Sequence, residues 1–144
     1  MQKAKLEIRE GSWEALGPEA SEIRRVVFIE EQKVPREEEW DGRDGDCHHF
    51  LALLEGRPVG IARLLPDAHV GRVAVLAEAR GHGIGAALMA AAIDAARRSG
   101  HAAVELAAQT HALAFYERLG FMAFGDPFLD AGIPHRNMRL ALGN

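Results

Sequence analysis

A glycine-rich turn in the second half of the chain constrains the fold more than any other feature of the sequence. The run Arg80-Gly81-His82-Gly83-Ile84-Gly85 follows an apolar segment, residues 70–76, and opens a stretch rich in Ala and Leu. Apolar residues in that stretch recur at helical spacing, and it ends at Gly100 after two arginines, which suit a helix C-terminus. The pattern predicts a strand over 70–76 and a helix over 85–99, joined by a turn that glycine permits.

A turn of this kind can hold an anion. Glycine lets the backbone approach a ligand closely, the first amides of a helix have no partner within it, and the helix dipole is positive at this end. Arg80 adds a forked cationic donor that can chelate phosphate oxygens. The sequence therefore predicts a phosphate-binding site from Arg80 to Ala86, with an ordinary surface turn as the alternative.

The other elements follow from periodicity and turn residues. Residues 6–9 predict a first strand with one face buried, and residues 19–31, after the Gly17-Pro18 break, predict an amphipathic helix. Residues 49–54 and 59–65 predict a hairpin, and residues 103–108 a further strand. Thr110 is expected to cap a helix over 111–119 that stops at Gly120, and 121–124 and 137–142 predict two last strands.

This order of elements predicts an α/β (α+β) fold in which helices pack on a mixed sheet. The 144 residues are close to the size of one domain, so we expect a single domain over 1–144. No secretory signal or bilayer-spanning apolar run is visible, and Cys47 is the lone cysteine and has no disulfide partner within the chain. We expect a cytoplasmic protein without a membrane partner.

Charge is unevenly distributed along the chain. The 17 basic and 21 acidic residues give a net charge of −4, which offers no general attraction for nucleic acid. Residues 30–46 contain eight acidic and three basic residues, a local charge of −5. We interpret residues 33–46 as a long surface loop with one helical turn, whose acids either attract a cationic ligand or only keep the loop soluble.

Residues 81–86 also fit the loose dinucleotide-binding pattern G-x-G-x-x-G/A, with Glu105 at a suitable distance for a ribose contact. Two observations oppose this alternative. Four residues separate Val75 from Arg80, whereas dinucleotide glycines follow their strand almost at once, and only 59 residues follow Gly85, too few for the remaining βαβ units. A nicotinamide-dependent oxidoreductase is therefore the weaker alternative.

The turn from Arg80 to Gly85 resembles the Q/R-x-x-G-x-G/A signature of the GNAT superfamily of N-acetyltransferases, including the strand before it and the helix after it. Further blocks, between about residues 26 and 138, resemble the ElaA-like branch of that superfamily in the same order. They are Val27-Phe28-Ile29-Glu30-Glu31-Gln32 with Pro35, Gly71-Arg72-Val73, Ala108-Gln109 with His111, Phe115-Tyr116 with Gly120-Phe121, and Gly132-Ile133-Pro134-His135.

The resemblance implies a GNAT fold, with a mostly antiparallel sheet of about six to seven strands whose central parallel pair splays apart. It implies acetyl-CoA as the cofactor, bound by its pantetheine arm along the first splayed strand and by its pyrophosphate on the glycine turn, and no metal. The residues it assigns to the cofactor are Val73, Ala74, Val75, Arg80, Gly81, His82, Gly83, Ile84, Gly85 and Ala86.

The reaction that the resemblance implies is direct transfer of an acetyl group to a primary amine of a small molecule or peptide, in a ternary complex. It requires a deprotonated amine, a donor to the carbonyl oxygen and an acid for the departing thiolate. Tyr116, the only tyrosine, matches the position where many GNAT enzymes place that acid, and packing beside Phe115 is the alternative. Residues expected at the acceptor site are Glu31, Gln32, Trp40, Gln109, His111 and His135.

The general base is left open by the sequence. The candidates are His48, His49, His111 and His135, with Glu31 and Glu105 in competition. Cys47 and the two histidines after it do not predict a metal site, since adjacent strand residues face opposite sides and no second ligand cluster follows. A CoA-binding sensor or partner module without turnover remains a second class of function, and a homodimer is left open.

Overall fold

The computed structural model describes residues 5–143, apart from the side chain of Glu38. Within that range seven strands form one sheet in the order β1-β2-β3-β4-β5-β7-β6. The strands are β1 (Leu6–Gly11), β2 (His48–Leu54), β3 (Arg57–Leu64), β4 (His69–Val75), β5 (Ala103–Gln109), β6 (Met122–Asp130) and β7 (Ile133–Ala141). The helices are α1 (Trp13–Arg24), which continues as a π-helical segment (Arg25–Glu31), α2 (Arg36–Glu39), α3 (Ile84–Arg98) and α4 (Leu113–Arg118).

All neighbouring strands of this sheet are antiparallel except β4 and β5. That parallel pair is joined at His69 with Glu105 and at Val70 with Leu106, and beyond these residues the two strands separate. The expected mixed sheet with a splayed central parallel pair is confirmed.

Helices cover the two faces of the sheet. Leu16, Ala20 and Ile23 of α1 pack in one apolar cluster with Leu51 and Ile61 of the sheet. On the opposite face, α3 packs a second cluster that includes Leu88 and Met89, which are fully buried. Both clusters draw on β2, which is why that strand is apolar along almost its whole length.

The first helix begins six residues before the predicted start, so the Gly17-Pro18 break was wrong. Ser12 caps the helix, and its Oγ accepts a hydrogen bond from the amide of Ala15 at 3.2 Å. A side chain at Gly17 would approach the Trp13 indole to 3.1 Å, so glycine makes room for this ring within the helix. Packing of the apolar face of α1 outweighs the backbone hydrogen bond lost at Pro18.

Two predictions at the C-terminal end also need correction. Thr110 does not cap a long helix, because the chain forms a 3₁₀ turn (Thr110–Ala112) and then the short α4, which has no side-chain cap. Strands β6 and β7 extend well beyond the predicted bounds. Gly125-Asp126-Pro127 interrupts the apolar pattern of β6, and the structure absorbs it as a shift in register between Phe124 and Phe128.

Candidate active site

A cleft of about 380 Å³ opens where β4 and β5 separate. Residues 70–73 and 106–109 form its walls, and Phe28 and Gln32 border it from the segment after α1. On the other side it is bordered by Asp130 and His135 of the β6–β7 hairpin. We call this space the cleft.

A bulge in β4 lies at the centre of the cleft. Arg72 and Val73 together oppose the single residue Ala62 of β3, and Arg72 has a left-handed backbone with φ +52°. Such a conformation costs a non-glycine residue on the order of 1–3 kcal/mol and persists only where the surroundings enforce it. The bulge interrupts the ladder to β3 just where β4 has lost its pairing to β5, so backbone groups of β4 become available to a ligand.

The glycine turn lies between β4 and the N-terminus of α3. Gly81 and Gly83 have φ of +85° and +75°, and a Cβ at either position would meet no atom within 4 Å. Arg80 is fixed beside the turn, because its Nε donates to the Val75 carbonyl at 2.9 Å and its two terminal nitrogens donate to Glu31 at 2.8 Å each. The turn is therefore an open backbone concavity at the positive end of a 15-residue helix.

The predicted cofactor residues fall into two groups. Gly81, His82 and Gly83 are exposed at the turn, and Val73 and Val75 are half-buried beside the cleft. Ala74 instead turns its side chain into the core and is 5% exposed. Only its main chain can therefore face a ligand.

Tyr116 borders the cleft from α4. Its ring meets those of Phe115 and Phe121 edge to face, with centroids 4.9 and 6.0 Å away. Burial raises the pKa of Tyr116 to about 12, because the phenolate would lose its hydration. The hydroxyl thus keeps its proton at neutral pH and can donate it.

Three of the six predicted acceptor residues line the cleft and three do not. Gln32, Gln109 and His135 border the cleft, and Gln109 Nε2 donates to Gln32 Oε1 at 2.8 Å across it. The other three do not belong to its lining. Glu31 pairs with Arg80, the Trp40 ring lies 4.6 Å from the Arg24 guanidinium, and His111 is exposed in the turn before α4.

A buried ion cluster, which the sequence did not predict, forms part of the cleft wall and extends beneath it. Arg24, which is 1% exposed, donates through Nε to Glu39 at 2.5 Å and through Nη1 to Asp44 at 2.6 Å. Arg63 pairs with Asp44 and with Asp41, whose pKa it holds well below the ordinary range. The sequence does contain a sign of this cluster, because two arginines interrupt apolar patterns. Arg24 lies on the buried face of α1, and Arg63 lies in the apolar run of β3.

This cluster corrects the interpretation of residues 33–46 as a surface loop. Glu39 and Asp44 are buried, and α2 and a 3₁₀ turn (Asp44–Asp46) shape the segment. Of the seven acids in residues 30–46 whose side chains the structure describes, five form ion pairs with arginines from Arg24 to Arg80. Most of the local negative charge is thereby compensated within the protein.

Within residues 5–143, no three His, Cys, Asp or Glu side chains are grouped so that they could hold a metal ion. None of the helices in the same range has the length and apolar character that crossing a membrane requires.

Residues 16–142 match the family model described as an acetyltransferase (GNAT) domain. The chain belongs to the GNAT family. It is 38% identical over 120 residues to a Bacillus subtilis protein named "Uncharacterized N-acetyltransferase YjcF", covering 81% of this chain and 86% of the relative. This GNAT protein is accordingly an acyl-CoA-dependent N-acetyltransferase, and the sequence resemblance is confirmed.

Solved GNAT structures agree with this assignment. An acyl-CoA N-acyltransferase from Pseudomonas aeruginosa superposes with a TM-score of 0.80 at 35% identity, covering 96% of this chain and 100% of that one. Escherichia coli ElaA superposes with a TM-score of 0.82 at 28% identity, covering 94% of this chain and 99% of that one. These likenesses span the whole sheet and so include the separated strands β4 and β5.

Proposed function

We propose that this GNAT enzyme transfers an acetyl group from acetyl-CoA directly to a primary amine while both substrates occupy the cleft. The observation that carries the proposal is the position of the glycine turn. It lies at the end of the β4 segment that has no β5 partner, so one extended ligand can contact both the turn and the cleft.

The residues present fit the cofactor. Val73 and Val75 lie on the part of β4 that has no β5 partner, so their main-chain groups suit a pantetheine arm that pairs as an added strand would, although the Val75 carbonyl also accepts from Arg80. The amides from His82 to Ala86 and the guanidinium of Arg80 suit a pyrophosphate. The open space above Gly81 and Gly83 supports this assignment, since a side chain there would occupy the approach to the backbone.

Acetyl-CoA, when bound, supplies a thioester carbonyl that an amine can attack and a thiolate that can leave. The chain contributes position and proton transfer. We assign the donation to the carbonyl oxygen, as negative charge develops there, to main-chain amides at the β4 bulge, where the ladder to β3 is interrupted. Tyr116 is assigned the role of the acid, because this residue borders the cleft and its hydroxyl remains protonated at neutral pH.

Cofactor binding is tested by replacing Gly83 with Asp. The substitution adds a carboxylate and a strained backbone at the turn, and we expect calorimetry to show that CoA and acetyl-CoA no longer bind measurably. Gly56→Asp is the matched control, because Gly56 also has a positive φ of +78° and open space, but it lies in the β2–β3 turn. It should bind CoA as the wild type does.

Two results would contradict the proposed cofactor site. One is unchanged CoA affinity in a folded Gly83→Asp protein. The other is wild-type protein that binds a nicotinamide dinucleotide in preference to CoA.

A further inference from the structure

The orientation of one histidine ring is fixed at the edge of the cleft. His135 lies on β7 between Gln109 of β5 and Phe128 of β6, and its ring stacks on that of Phe128 with centroids 5.8 Å apart. Its Nδ1 lies 2.7 Å from the carbonyl oxygen of Ile133. A carbonyl can only accept, so Nδ1 carries the hydrogen, and Nε2 of the neutral ring has a free lone pair.

The other histidines considered as bases are placed differently. His48 pairs with Glu10, His111 is exposed outside the cleft, and His49 is buried against the carbonyl of Asp44. His69 does border the cleft, but it lies where β4 and β5 are still paired, and its ring is within 3.5 Å of carboxylates of Asp67 and Glu105. Among these histidines, His135 lines the open part of the cleft, and its ring is held through Nδ1, which leaves Nε2 as the nitrogen that can accept a proton.

The carboxylates near the cleft suit the role less well. Glu31 is held by Arg80, and Glu105 lies between His69 and Arg139 and is not part of the lining. Glu39 borders the cleft, but proton uptake there would leave the buried Arg24 guanidinium poorly compensated. Asp130 is exposed, and an ordinary carboxylate is too weak a base to deprotonate an ammonium group efficiently.

We infer that His135 is the general base of the transfer, an assignment that rests on the proposed function. Nε2 of His135 takes a proton from the bound ammonium group, and the neutral nitrogen that results forms its bond to the acetyl carbon. The C–S bond breaks with its electron pair remaining on sulfur, and the Tyr116 hydroxyl donates the proton that completes the thiol. The acetylated nitrogen gives its extra proton to the Tyr116 phenolate, and solvent removes the proton from His135, so the enzyme is regenerated.

Other charged and titratable groups line the cleft together with His135 and set the electrostatic environment of the proposed base. Besides His135 they are Glu39, Arg63, His69, Arg72, Tyr116 and Asp130. Glu39, Arg63 and Arg72 belong to the ion cluster, in which opposite charges compensate one another. Asp130, on the same hairpin as His135, favours a cationic amine at this side of the cleft.

The test replaces His135 with Asn, whose side-chain amide can still donate to the Ile133 carbonyl but offers no imidazole Nε2. Ethylamine and trifluoroethylamine, used at high concentration, are similar in size, but the fluorinated amine is far less basic and already neutral at pH 7. We expect His135→Asn to lower kcat/KM for ethylamine by about 10²-fold or more and to affect trifluoroethylamine much less.

Two controls separate this role from a structural one. His48→Asn changes another of the histidines but lies away from the cleft, and it should keep wild-type kinetics. Affinity for CoA, measured by calorimetry, should be unchanged in His135→Asn. Equal losses of kcat/KM with both amines in His135→Asn, or kinetics like those of the wild type, would overturn the base assignment alone. Wild-type protein that releases no thiol with any amine would contradict the proposed function itself.

Discussion

Tyr116 shows how a single side chain acquires a role from its surroundings. The ring packs between Phe115 and Phe121, and the same apolar contacts that hold it raise the pKa of its hydroxyl to about 12. The raised pKa keeps the hydroxyl protonated at neutral pH, as a general acid must be, and makes it a weaker acid than an exposed tyrosine. Packing and acid catalysis are therefore compatible at this position.

We expect Tyr116→Phe to keep the fold and the affinity for CoA but to lower kcat by about 10²-fold or more, since general acid catalysis contributes on this order. Both ring contacts survive the substitution, so thermal unfolding should change little. The measurement is thiol release under conditions where chemistry limits the rate. A variant with near wild-type kcat would reduce Tyr116 to a packing residue.

At the scale of elements, the ion cluster fixes the segment after α1 to the sheet. Glu39 at the end of α2 meets Arg24 of α1 and Arg72 of the β4 bulge, with Oε2 2.5 Å and 3.2 Å from their Nε atoms. The same guanidinium of Arg72 also reaches Asp41. This arrangement connects α1, α2 and the strained bulge, and so helps to enforce the backbone that opens the cleft.

Glu39→Gln should therefore destabilise the protein strongly. Removing one partner of a buried ion pair typically costs about 3–5 kcal/mol. Arg24 would keep Asp44 and Arg72 would keep Asp41, but the cluster would hold three arginines against two carboxylates. The matched control is Glu37→Gln in the same helical turn, where the side chain is exposed and a change within about 0.5 kcal/mol is expected. Equilibrium unfolding in urea compares the two, and equal stabilities would show that the cluster does not hold the fold.

The sequence predicted elements well where local signals and packing agree. The helix α3, the β2–β3 hairpin and the turn at Gly83 follow from periodicity and glycine placement, and the structure has them close to the predicted bounds. The start of α1 could not be predicted, because the room that Gly17 provides for Trp13 is a tertiary contact.

The candidate site was predictable only in part. The turn and Tyr116 are carried by motifs that can be read along the chain. His135 was one of four equivalent histidines in the sequence, and only the hydrogen bond to Ile133 and the pairing of β7 with β5 distinguish it. The pairing of Arg24 with Glu39 spans 15 residues and depends on how α2 folds back, which no local pattern indicates.

At the scale of the whole molecule, the sheet divides at one place. Among the described residues, strands β1 to β4 and strands β5, β7 and β6 form two antiparallel parts, and the strand pairing that joins them is the two residue pairs between β4 and β5. The glycine turn ends the first part, and α4 and the β6–β7 hairpin extend from the second. Cofactor-binding and proton-transferring groups are thus expected to come from opposite sides of one cleft.

The most direct test of this account is the initial rate of CoA thiol release, measured while acetyl-CoA and an accepted primary amine are varied together. Direct transfer in one cleft predicts amine-dependent release and double-reciprocal plots that intersect, with the acetylated amine formed in equal amount. Parallel plots with an acetylated protein intermediate would contradict direct transfer. Absence of thiol release across a broad set of primary amines, in protein that binds acetyl-CoA, would contradict the proposed catalytic function.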